Sequence, residues 1–144
     1  MNFEQLQAFA SSTPILSLAL VGLTVAIIAT EVGRLTRGYK SLRPGELTNL
    51  INRDNALVVD LSANNDFEKG HIAGSRNVLP SQFDPDNKML SAARALPVVV
   101  VCRNGQASGA AAKRLKKAGF DSVYSLEGGV AAWQQADLPL VKGR

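Results

Sequence analysis

The sequence predicts an α/β fold, a three-layer domain with a mainly parallel central sheet, preceded by one transmembrane helix. Three observations carry this. Strand-like and helix-like segments alternate from Pro44 to the end of the chain, the pattern of a sheet covered by helices. Val98-Val99-Val100-Val101 is a continuous β-branched run, of the kind buried on both faces at the centre of a parallel sheet. Residues 5–30 contain no charged side chain, and 15–30 are almost purely aliphatic.

The apolar segment comes first in the chain. A helix rises 1.5 Å per residue, so Ile15 to Val32 spans roughly 27 Å, close to one hydrocarbon core. Thr13-Pro14 reads as its start, a hydroxyl cap followed by proline at the first helical position. Phe3, Leu6 and Phe9 recur at helical spacing and suit a segment lying along the membrane interface. A cleaved secretory signal fits poorly, because no Lys or Arg precedes the run and no convincing small-x-small site follows it. A buried globular helix fits worse, since 15–30 has no polar face. The expected division is an interfacial segment 1–13, a span 14–33, a basic juxtamembrane linker 34–43 and a domain 44–144.

The net charge of +4 is partly a property of that linker. Arg34, Arg37, Lys40 and Arg43 follow the span at once, leaving 12 basic and 10 acidic residues over 44–144. The positive-inside rule then keeps the basic end in the cytoplasm, with the N-terminus outside and the C-terminal domain facing inward from an inner membrane. Attraction to anionic lipid headgroups accounts for these four residues, so membrane lipid is an expected partner. Nucleic acid is not, because no motif or aromatic context accompanies the charge. The single cysteine excludes an intramolecular disulfide, and one Cys with one His cannot make a zinc site, so no metal is expected.

Within the domain, Pro44-Gly45-Glu46 opens a short helix with Leu47, Leu50 and Ile51 on one face. ALVVDLS (56–62) is a buried strand, NNDFEK a helical turn closed by Gly70, and RNVL a short strand. DPDNKM reads as a loop and LSAARAL as a helix ending before Pro97. From Ala107 the pattern turns helical, with Ala107, Ala111, Leu115 and Ala118 inward and Lys113, Arg114, Lys116 and Lys117 outward. Gly119 closes that helix, SVYSL is a strand, and GGVAAWQQA is a helix after a tight glycine turn.

The only cysteine, Cys102, stands at the carboxyl end of the valine strand, where ligands bind in open α/β sheets. N–H groups of the loop Arg103-Asn104-Gly105-Gln106-Ala107 and the helix start behind it can turn toward the sulfur as an anion nest. The thiolate is the nucleophilic form of cysteine. Arg103 adds a positive charge for anion contact, and the small residues let backbone approach closely. A lone buried cysteine is ordinarily core packing; the strand-end position and the polar loop favour chemistry here.

The residues CRNGQASGAAAKRLKKAGFDSVYSLEGGVAAW resemble the active-site half of a rhodanese domain, and VVDLSANNDFEKGHIAGSRNV resembles the other half. The resemblance covers roughly residues 44–140 and rests on Gly70-His71-Ile72-x-Gly74, the cysteine loop and Gly128-Gly129-Val130-x-x-Trp133 in that order. With its apolar segment the chain is similar to single-pass membrane rhodanese-like proteins of Gram-negative bacteria. The family implies a sulfurtransferase in which Cys102 takes sulfane sulfur from thiosulfate or a persulfide donor. It holds that sulfur as a persulfide and passes it to cyanide, a thiol or a protein acceptor, with no cofactor. A cysteine phosphatase shares the layout but requires an arginine six residues after the cysteine, where this chain has Ser108.

The remaining candidates carry plainer readings. His71 is expected as a hydrogen-bonded turn residue rather than a general base. Asp60 ends a strand on the Cys102 side of the sheet and suits either orientation of the loop or a structural cap. Trp133 is expected in the core, and the lysines at 113–117 on a solvated face. Where the family often has Asp-x-Arg, this chain has Asp60-Leu61-Ser62, which removes a positive charge near the site. The rival from another class is an interaction module or sulfur carrier that meets an inner-membrane protein, since fold alone does not fix function.

Overall fold

The computed structural model describes residues 1–144 and divides them into two units, Met1–Arg37 and Gly38–Arg144. The first holds helices α1 (Phe3–Ser12) and α2 (Pro14–Leu35). Helix α2 is long and apolar enough to cross a membrane, and none of its residues is buried. Pro14 takes the first helical position as expected, but Thr13 does not cap α2 with its hydroxyl. Thr13 Oγ1 instead donates to the Phe9 carbonyl at 2.9 Å, closing the last turn of α1. The same carbonyl also accepts the Thr13 N–H at 3.0 Å, so Thr13 closes α1 through both its backbone and its hydroxyl.

The second unit runs β1 (Lys40–Leu42), α3 (Pro44–Asp54), β2 (Leu57–Asp60), α4 (Asn64–Lys69), β3 (Arg76–Asn77), a 3₁₀ turn (Pro80–Gln82), α5 (Lys88–Ser91), β4 (Val98–Val101), α6 (Gln106–Lys117), β5 (Val123–Leu126) and α7 (Gly129–Gln135). The five strands form one all-parallel sheet in the order β1-β5-β4-β2-β3. β4 lies at its centre, paired with β2 on one side and β5 on the other. All four of its valines are buried, each worth about 1.5–3 kcal/mol of apolar transfer. Their period of two divides the core. Val98 and Val100 join Leu90, Ala111, Leu115 and Phe120 on one face, and Val99 and Val101 join Leu47, Leu126, Val130 and Trp133 on the other. Helices α5 and α6 therefore cover one face and α3 and α7 the other, which makes three layers.

Three sequence expectations shift. Lys40–Leu42, read as linker, is an edge strand parallel to β5, with Leu42 opposite Leu126. The helix expected over LSAARAL starts earlier, at Lys88, because the Asn87 side chain accepts the Met89 N–H at 3.1 Å and nucleates it; residues 92–95 are turns. On α6 the buried face is Ser108, Ala111, Ala112 and Leu115, whereas Ala107 is exposed. The helix begins one residue before the expected start, and a run of alanines gives no hydrophobic contrast by which to fix the phase.

Candidate active site

Cys102 is the first residue after β4 and is 5% exposed. The chain must turn from a central strand into α6 within four residues, Cys102 to Gly105, and Gly105 makes that turn with φ +87°. Its backbone N–H points back and donates to Cys102 Sγ at 3.0 Å. Asn104 Oδ1 lies 3.9 Å from Sγ and accepts the Gln106 N–H at 3.2 Å, which fixes the loop and the first donor of α6 together. Gln106 and Ala107, both exposed, open α6, whose first-turn N–H groups have no acceptor within the helix. Ser108 is fully buried, with Oγ donating to the Gly105 carbonyl at 3.1 Å. The structure thus brings the Gly105 N–H and Asn104 Oδ1 to the Cys102 sulfur, whereas Gln106 and Ala107 make no hydrogen bond to it.

The outer side of this loop is held by α7. The Val130 N–H donates to the Cys102 carbonyl at 2.9 Å and the Ala131 N–H to the Arg103 carbonyl at 3.1 Å. These are first-turn donors of α7 that would otherwise need a cap. Gly129, at φ +64°, makes the approach feasible: a Cβ there would stand 2.1 Å from the Cys102 carbonyl oxygen. The Gly-Gly motif is visible in the sequence, but its contact with the cysteine loop is not. Trp133 is buried as expected, with Nε1 donating to the Pro139 carbonyl at 3.0 Å.

Arg103, expected as an anion contact, has its side-chain hydrogen bonds on α4 instead. Its Nη2 donates to the Asp66 carbonyl and, at 3.3 Å, to the Gly70 carbonyl, the end of α4. The guanidinium ties the cysteine loop to the last turn of α4, where carbonyls lack helical partners.

Asp60 is buried at the end of β2 and Oδ1 accepts the Ser62 N–H at 2.8 Å, a local turn. Asp60 Oδ2 and Ser62 Oγ are buried without a hydrogen-bond partner, as is Ser75 Oγ. His71 is 6% exposed, stacks on Phe67 with ring centroids 3.7 Å apart, and holds the Phe67 carbonyl through Nδ1 at 2.8 Å. Its backbone forms a two-way bridge with Val141 in the C-terminal tail. A cleft of about 1010 Å³ beside it is lined by Asn64, His71, Ser75, Asn77 and Lys142 among others, and by no residue of the cysteine loop.

The family model described as "Rhodanese-like domain" matches residues 43–136. The chain is similar to the uncharacterized protein YibN of Escherichia coli K12, at 43% identity over 98% of this chain and 99% of that protein. It is also similar to the thiosulfate sulfurtransferase GlpE of Shewanella oneidensis, at 36% identity over 69% of this chain and 96% of that one. Among solved structures, a rhodanese-related protein from Thermoplasma volcanium superposes with a TM-score of 0.64 at 27% identity, covering 73% of this chain and all of that one. Fold, cysteine loop and relatives lead to one assignment: the chain belongs to the rhodanese-like domain family.

Proposed function

We propose that the chain is a membrane-anchored sulfurtransferase that carries sulfane sulfur as a persulfide on Cys102, its domain on the cytoplasmic face of an inner membrane. The observation that carries this reading is the Gly105 N–H donating to Cys102 Sγ within a loop braced from behind by α7. A backbone donor fixed on the sulfur costs no reorganisation when negative charge sits there.

The thiolate of Cys102 attacks the outer sulfur of thiosulfate. A new S–S bond forms, the bond to the sulfonate breaks, and sulfite leaves with the electron pair. A thiolate or cyanide then attacks the terminal sulfur of the persulfide and releases the Cys102 thiolate. Both anionic forms of the sulfur sit in the same cradle, with Asn104 holding the loop and the α6 start adding its dipole. Arg103 acts as a latch on α4. Helix α2 with the basic residues after it supplies the anchor.

The test is thiocyanate formation from thiosulfate and cyanide by the detergent-solubilised chain. Activity is expected, with Cys102→Ser reducing it to background while melting like the parent. Equal rates from the two proteins would exclude Cys102 as the carrier. Protease cleavage of a C-terminal tag from the periplasmic side alone would overturn the topology.

A further inference from the structure

Helix α6 carries Lys113, Lys116 and Lys117 on an exposed face, and none of them forms an ion pair. This face is also where the second unit begins. A Cβ built on Gly38 would lie 3.1 Å from Lys116 Cγ, and one on Gly109 would lie 2.8 Å from the Tyr39 hydroxyl. Gly109, Lys113 and Lys116 stand at i, i+4 and i+7, one stripe of the helix. The entering chain is therefore laid along the lysine stripe. Only Thr36 and Arg37 separate α2 from Gly38, at most about 11 Å of chain.

We infer that the lysine stripe of α6 is a docking surface for anionic lipid headgroups, which holds the domain against the bilayer by α6. The inference rests on α2 being the membrane anchor. Given that anchor, the chain leaves the bilayer at Thr36 and meets Lys116 at once, within reach of the surface field of an anionic leaflet. Arg34 and Arg37 add to the same charge along the chain. The opposite sheet edge, β3, is four strand spacings from β1, about 19 Å. Lys142 lines the cleft at that far edge beside Arg76 of β3.

The experiment places the full chain in nanodiscs of phosphatidylcholine alone or mixed with phosphatidylglycerol. The rate at which a water-soluble amine-acylating reagent modifies each lysine is then read by peptide mass spectrometry. Lys113, Lys116 and Lys117 should react about threefold or more slowly in the anionic discs, and Lys142 equally in both. The protection should vanish in about 1 M salt, where the screening length is about 3 Å. Equal reactivity of the three lysines in both discs overturns the inference, as does protection that extends to Lys142. Protection found only in native membrane vesicles also overturns it and assigns the stripe to a protein. A chain that enters neither disc removes the anchor itself, an outcome distinct from an anchored chain with unprotected lysines.

Discussion

Gly129 and Cys102 meet with no room for a side chain between them: a Cβ on Gly129 would stand 2.1 Å from the Cys102 carbonyl oxygen. The contact lets α7 donate two N–H groups to the back of the cysteine loop. Gly129→Ala must displace one element from the other and hold alanine at φ +64°. We expect a loss of about 2–4 kcal/mol, read as a fall of about 10 °C or more in the melting temperature, together with impaired persulfide formation. Gly45→Ala, in α3 with open space around it, should melt within a few degrees of the parent, about 0.5 kcal/mol either way. Similar melting of the two variants would show that the packing between α7 and the loop is dispensable.

Arg103 discriminates two roles for a cation beside the nucleophile. A latch on α4 changes the presentation of the sulfur to any reagent, whereas an anion contact matters only to anionic ones. Arg103→Ala should alter the rates of Cys102 alkylation by neutral iodoacetamide and anionic iodoacetate by the same factor. It should also cost about 1–2 kcal/mol through the lost bonds to Asp66 and Gly70. A slowing confined to iodoacetate would return Arg103 to the anion-contact role that the sequence suggests.

His71 is held by Phe67 below the ring, by the Phe67 carbonyl on Nδ1 and by Val141 of the C-terminal tail across the backbone. His71→Ala should lower stability by about 1–3 kcal/mol. His71→Asn, which retains a donor at the δ position, should recover part of that loss. Thiocyanate formation by the folded variants should keep the parent's pH profile. A profile that loses one limb would establish His71 as a proton-transfer group.

Ser62 and Ser75 each bury a hydroxyl without a partner. Ser62→Ala and Ser75→Ala should each leave stability unchanged or raise it by up to about 1 kcal/mol, because the unmet desolvation of the hydroxyl disappears. A loss of more than about 1 kcal/mol in chemical denaturation would mean that these hydroxyls are satisfied in solution.

How much of this was legible in the sequence depends on the range of the interaction. The four valines of β4, the cysteine at their end and the glycine that follows are local signals, and each leads directly to its place in the fold. The edge strand Lys40–Leu42 has no apolar alternation; its pairing with β5 makes it a strand. Ser108 rather than Ala107 faces inward because the helix phase follows the Gly105 turn, and small residues leave that phase unmarked. The Arg103 bonds reach back 37 and 33 positions, and the Gly129 contact crosses from β5 to β4. No pattern in the chain announces either one.

The edge strand also fixes how the domain is cut for study. A fragment must begin at Gly38, since Tyr39 packs on the core and Lys40 opens β1. The most direct measurement is intact mass spectrometry of residues 38–144 after incubation with thiosulfate. The account predicts a gain of one sulfur atom that reducing agent removes and that Cys102→Ala abolishes. A folded fragment with a free thiol that gains no sulfur from thiosulfate, or from a persulfide donor, would contradict it and leave a rhodanese fold serving as a membrane interaction module.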